Sequence, residues 1–99
     1  MANYRLSRAA DRDFESIFSY GIDMFGLDQA IIYQTGMIMR FDEIATHPSL
    51  YNAVDHIKTG YRRSVFGSHS IYYKVEKQGV TIIRILGQQD PVAALESDG

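Results

Sequence analysis

Apolar residues recur along the first half of the chain at spacings of three and four. Ala10, Phe14, Ile17, Phe18, Gly21 and Phe25 form one such series, and that spacing lines one face of a helix. Before it, "NYRLS" (Asn3 to Ser7) reads as a short strand, with Ser7 placed to cap the helix by accepting a free backbone N–H. Asp11, Asp13 and Glu15 crowd the first turns, where the helix dipole favours anions. Gly26 suits the left-handed residue that ends a helix. Ala30, Tyr33, Met37, Ile38, Phe41, Ile44 and Ala45 predict a second helix, capped by Asp28. It stops at His47-Pro48, because the residue before proline disfavours the α region. So short a joint makes the two helices an antiparallel αα-hairpin. Gly21 and Gly36 lie inside them, each at a cost of ~1 kcal/mol relative to alanine. Close approach of the other helix or of a sheet explains that cost; simple tolerance is the alternative.

The period then changes. Residues 47–60 show no repeat and read as a connecting loop. "YRRSVF" (61–66), "SIYYKVE" (70–76) and "VTIIRIL" (80–86) are rich in β-branched and aromatic residues and are separated by "GSH" and "KQG". This is the signature of hairpins, here a three-stranded antiparallel meander. Alternation puts Ile71, Tyr73 and Val75 on one face of the middle strand, and Ser70, Tyr72, Lys74 and Glu76 on the other. Arg62 and Arg63 are adjacent and must point to opposite faces, so both cannot serve one pocket. The last strand is apolar on both faces. Thr81, Ile83 and Ile85 are expected toward the helices, leaving Ile82, Arg84 and Leu86 on the open face. Asp90-Pro91 then starts a short helical turn, with Asp90 as cap and Pro91 at the first helical position. Residues 88–99 form a short tail whose Val92, Ala93, Ala94 and Leu95 can dock on a domain spanning 1–99.

Charge adds an asymmetry to this pattern. Residues 1–56 carry −4, residues 57–87 carry +5 and residues 88–99 carry −3. A basic sheet region suits nucleic acid or an acidic protein segment. The chain has no cysteine, which excludes disulfides and cysteine–zinc sites and suits a reducing cytoplasm. No stretch reads as a signal peptide or a membrane span. His47, His56 and His69 are spaced by 9 and 13 residues with no carboxylate pattern around them, so no metal and no cofactor is expected. Gly-rich phosphate loops, GxSxG and HExxH are absent from the sequence. A metal-free ribonuclease would need a base, an acid and a cation for the phosphorane. Arg62, Arg63, Arg84, His69 and Tyr72 or Tyr73 are the candidates for it, against a structural reading in which His69 serves the turn.

The ordered words "YRLSRAADRDFESIFSY", "FGLDQAIIY", "FDEIATHPSL", "IKTGYRRSVFGSHSIYYKVE" and "IIRILGQQDP" cover nearly the whole chain. In that order they resemble the ParE toxins of the RelE/ParE type II toxin–antitoxin superfamily. The resemblance implies an α+β fold, β-α-α-β-β-β, with the αα-hairpin packed on a small antiparallel sheet. It also implies growth inhibition by binding DNA gyrase, rather than catalysis, and neutralisation by a ParD-like antitoxin. The RelE branch of the superfamily, ribosome-dependent mRNA interferases, is the alternative. Against it, the tail after Leu86 holds no His, Tyr, Arg or Lys, and its charges are acidic, which repels phosphate. Many ParE-like sequences have a histidine directly after "RIL"; this chain has Gly87.

A ParD-like segment that folds on binding is typically acidic and amphipathic. The residues expected to meet the antitoxin or the target are therefore Arg62, Arg63, His69 and Arg84, with Ile82 and Leu86 for apolar contact. Direct contact with nucleic acid or membrane is not expected.

Overall fold

The computed structural model describes residues 3–96. Strand β1 (Tyr4–Leu6) leads into helices α1 (Arg8–Phe25) and α2 (Leu27–Thr46). Strands β2 (Asn52–Ala53), β3 (Arg62–Phe66), β4 (His69–Glu76) and β5 (Gly79–Leu86) follow, and then helix α3 (Pro91–Glu96). The strands form one sheet in the order β1-β5-β4-β3-β2. The expected meander is its centre. However, β1 pairs with β5 in parallel, so the sheet is mixed, and the two residues of β2 extend it from within the expected loop.

Local chemistry fixes the helix ends. Ser7 Oγ accepts from the Ala10 N–H at 3.0 Å and donates to the Ile83 carbonyl at 2.8 Å, capping α1 and tying it to β5. Gly26, at φ 90°, ends α1 and precedes α2. Asp28 lies inside the first turn of α2, which has no side-chain cap. α2 ends at Thr46, before His47 and Pro48. In α3, Asp90 caps as expected, accepting from the Val92 N–H at 3.1 Å.

Of the two internal glycines, Gly36 marks close approach and Gly21 sits at an ordinary contact. A Cβ on Gly21 would meet Ala30 Cβ of the other helix at 3.4 Å, and one on Gly36 would meet the Phe66 ring of β3 at 2.8 Å. The second distance is below any ordinary contact, so the helix can lie this near the sheet only with glycine there.

The sheet is buried on both faces. Toward the hairpin, Ile71, Tyr73, Val80, Ile82 and Ile85 pack with Ala10, Met37, Phe41 and Ile44. On the far face, Tyr72, Ile83 and Leu86 pack with Val54, Tyr61 and Leu95. The phase expected for β5 is therefore wrong over its first part. Ile82 faces the helices, and Ile83 faces away; Thr81 pairs with Lys74 and also lies on the far face. The cause is a β-bulge. Tyr72 pairs with Arg84 and Tyr73 with Ile82, so Ile83 is an extra residue that switches the alternation. Past the bulge, Ile85 returns to the helix side and Leu86 to the far side. Leu86 is 1% exposed beneath the tail, so it offers no open apolar contact. Val75 is on the expected face but lies beyond the core, 51% exposed.

Candidate functional site

The basic residues expected to form an interaction surface are largely engaged within the fold. β1 ends at Leu6, so the edge of β5 beyond Ile82 has no strand neighbour. α1 satisfies that edge instead. Asp13 accepts from the Ile85 N–H at 3.0 Å and from Arg84 Nε and Nη2 at 2.7 and 3.1 Å. Asp13 is thus a staple between α1 and β5, not merely a charge favourable to the helix dipole. Arg84 is held inside the fold and is not presented on an open face.

Arg62 donates to the Tyr51 carbonyl at 2.6 Å, on the helix side of the sheet. Lys58 donates to the Leu95 carbonyl at 3.0 Å and lies over the Tyr61 ring, holding the end of the tail. Arg40, which sequence reasoning passed over, donates to Ser64 Oγ and the Val65 carbonyl, both at 2.8 Å, and lies against the rings of Tyr51 and Phe66. Arg63 is paired with Tyr72 across the strands, on the opposite face from Arg62. It forms no side-chain hydrogen bond or ion pair among the described residues. Of the three arginines singled out in the sequence, it is the one whose guanidinium is left to meet an outside carboxylate.

The larger recess lies elsewhere. Toward its tip the αα-hairpin leaves apolar residues of both helices uncovered. A groove of about 560 Å³ opens between Phe14, Ile17 and Gly21 of α1 and Ala30, Tyr33 and Met37 of α2. Its rim is apolar as well: Tyr20, Phe25 and Ile32 are 62%, 68% and 63% exposed. Met24 and Leu27, at the tip of the hairpin, are also more than half exposed. The sequence held a signal for this. "AIIY" and "MIM" in α2 place apolar residues on more than one helix face, and one sheet cannot cover a helix that is apolar all round.

Ser68 and His69 close the groove at its sheet end. His69 is the first residue of β4, and Gly67-Ser68 make the turn, so His69 is not itself a turn residue. Its Nδ1 lies 2.7 Å from Tyr33 Oη. Burial lowers its pKa from the ordinary value, with Asp13 opposing that shift. The other histidines do not join it. Among the described residues, no group of three or more His, Asp or Glu side chains is placed to hold a metal ion. No helix among them is long and apolar enough to cross a membrane.

A family described as the ParE toxin of the type II toxin–antitoxin system parDE matches residues 4–91. The chain belongs to the ParE toxin family. Relatives named Toxin ParE1 agree. The one from Caulobacter vibrioides is 38% identical over 88 residues, covering 89% of this chain and 91% of the relative. The one from Mycobacterium tuberculosis is 35% identical over 89 residues, with the same coverage. A solved structure described as a chromosomal ParDE toxin–antitoxin system from P. aeruginosa superposes with a TM-score of 0.77. It covers 90% of this chain and 98% of its own at 15% identity, so the ParE-family fold persists where sequence has largely diverged.

Proposed function

We propose that this ParE-family toxin inhibits DNA gyrase by binding it, and that a ParD-like antitoxin neutralises it by laying an amphipathic segment into the groove of the αα-hairpin. The observation that carries the antitoxin site is the uncovered apolar groove with its exposed rim of Tyr20, Phe25 and Ile32. Burying a large apolar side chain contributes about 1.5–3 kcal/mol when complete. These residues are already about one third buried, so each retains roughly 1–2 kcal/mol to gain. Rim and groove together can offset the ordering of a segment that folds as it binds. Arg63, on the far face, is a secondary contact for an acidic stretch of the same antitoxin.

Action by binding fits the state of the polar groups. Of the three arginines considered for a ribonuclease, Arg63 alone keeps its guanidinium available to a phosphorane, while Arg84 is held in a two-point ion pair with Asp13. Arg62 is spent on a backbone carbonyl. Tyr73 is fully buried, with its hydroxyl given to the Pro48 carbonyl at 2.6 Å.

The test of the antitoxin site is the double substitution Phe25→Asp with Ile32→Asp. Both side chains are exposed, so the fold is expected to survive, with a thermal midpoint within a few degrees of the parent. Affinity for a ParD-like antitoxin should fall at least tenfold, and co-expressed antitoxin should no longer restore growth. Unchanged affinity would place the antitoxin elsewhere on the toxin.

A further inference from the structure

Tyr33 Oη is a hydrogen-bonding hub at the end of the groove. It lies 3.0 Å from the Phe66 carbonyl, 3.2 Å from the Ser68 N–H and 2.7 Å from His69 Nδ1. A phenol has one proton. The Phe66 carbonyl can only accept, so Tyr33 donates there. Ser68 N–H donates to the phenol oxygen. With the phenol proton on the Phe66 carbonyl, His69 Nδ1 donates to the phenol too, with Ser68 Oγ a second neighbour at 3.4 Å, and Nε2 of the neutral ring carries the lone pair.

The hub is rigid. Gly67, at φ 56°, brings the turn so close that a Cβ there would lie 2.5 Å from Tyr33 Oη. Nε2 lies on the side of the ring toward Gly87. Ser70 pairs with Leu86, so His69 lies across from Gly87, which has no side chain to shield it. A Cβ on Gly87 would sit 3.8 Å from Nε2. Nε2 has no hydrogen-bond partner among the described residues, and Gln89 Oε1 nearby is occupied by the Gly87 N–H at 2.7 Å. On that assignment an acceptor stands at one end of a mainly apolar groove, whose other polar side chains include Gln29, Gln34 and Ser68.

We infer that His69 is the polar recognition point of the groove: its Nε2 accepts a hydrogen bond from a donor side chain of the antitoxin segment, and acid weakens the complex by protonating the ring. The inference rests on the groove being the antitoxin site, as proposed above. The charged and titratable groups around the ring are Asp13 of α1 with its partner Arg84 of β5, and Tyr33 of α2. The turn from β3 and the stretch after β5 approach it with Gly67, Ser68, Gly87 and Gln89, none of which titrates. Burial already favours the neutral ring over the charge-stabilising effect of Asp13. A bound segment removes more water and adds a donor that only the neutral ring can accept. Binding therefore releases a proton at low pH. Affinity is greatest at neutral pH and falls as pH drops through the pKa of the unbound toxin, by up to about tenfold per pH unit for one proton.

The experiment measures the affinity of the full-length toxin for the full-length ParD-like antitoxin of the same pair at pH 7.5 and 5.5. The parent is compared with His69→Phe, which removes the acceptor, and His69→Gln, which keeps an uncharged one. The parent should weaken in acid by severalfold but less than about tenfold, since burial holds the pKa of the ring below its ordinary value. His69→Phe should be weaker already at pH 7.5, and His69→Gln close to the parent there; both should vary with pH less than the parent. Nitrogen NMR of the unbound toxin should show the Nδ1–H tautomer of His69, a reading independent of any loss of fold in the variants. An Nε2–H tautomer, or equal affinity and pH slope in parent and His69→Phe, would overturn the inference. If the Phe25→Asp, Ile32→Asp toxin still binds normally, the groove assignment fails; if it does not bind but His69→Phe matches the parent, only the role of His69 fails.

Discussion

Replacing Asp13 with alanine removes three hydrogen bonds at once: two from Arg84 and one from the Ile85 N–H. The two side chains of the ion pair are 14% and 18% exposed, so water cannot readily replace either partner. Breaking a fully buried pair costs about 3–5 kcal/mol, while an exposed pair contributes about 0–1 kcal/mol. An orphaned buried N–H adds about 1–3 kcal/mol. Weighted for partial exposure, Asp13→Ala should cost about 2–4 kcal/mol. For a domain of this size each kcal/mol lowers the midpoint by about 4–8 °C, so a fall of at least about 8 °C is expected. Urea titration and thermal melting followed by circular dichroism measure both. Asp13→Asn, which retains one acceptor oxygen, should fall between the parent and Asp13→Ala. Adding Arg84→Met to Asp13→Ala should recover part of the loss, because no buried guanidinium is then left without its carboxylate. A loss under about 0.5 kcal/mol for Asp13→Ala would refute the staple and return Arg84 to the set of surface contacts.

Gly36→Val should destabilise by about 1–3 kcal/mol through overpacking against Phe66, whereas Gly21→Ala, with ordinary contact at 3.4 Å, should be neutral or stabilising by up to ~1 kcal/mol. Equal effects in urea titrations would show that α2 is not pressed onto β3. Leu95→Ala, which empties a fully buried position under the tail, should cost about 2–4 kcal/mol and speed proteolytic clipping after Leu86; unchanged clipping would mean the tail is not docked. Burial raises the Tyr73 hydroxyl from its ordinary value near 10 to about 12. Its contribution is complete well below pH 10 and lost as pH rises through 10 toward 12, up to about 3 kcal/mol. Tyr73→Phe should flatten that alkaline decline in urea titrations, and an unaltered decline would assign it to other groups.

Much of the fold was legible because its signals are local. The Ser7 cap, the stop before Pro48, the turns at Gly67 and Gly79 and the Asp90-Pro91 start of α3 each depend on residues within a few positions. What escaped depends on partners distant in sequence. Asp13 and Arg84 are 71 positions apart, and nothing near either one announces the pair. The parallel pairing of β1 follows from where the αα-hairpin returns the chain, not from the three residues of the strand. The bulge at Ile83 defeated alternation in β5, since no single phase describes a strand that changes phase midway. A count of charges made the basic sheet look available, but Arg62 and Arg84 are used to hold the molecule together. The groove was written instead in the surplus apolar residues of α1 and α2.

The proposed toxin stops gyrase by binding it, and its antitoxin lifts that block. Supercoiling of relaxed plasmid by purified gyrase is measured with rising amounts of this protein. Supercoiling should fall, or cleaved DNA accumulate, at micromolar toxin, and a ParD-like antitoxin should restore activity. Full supercoiling at that excess, together with codon-phased cuts in cellular mRNA after induction, would instead place the protein among the ribosome-dependent interferases.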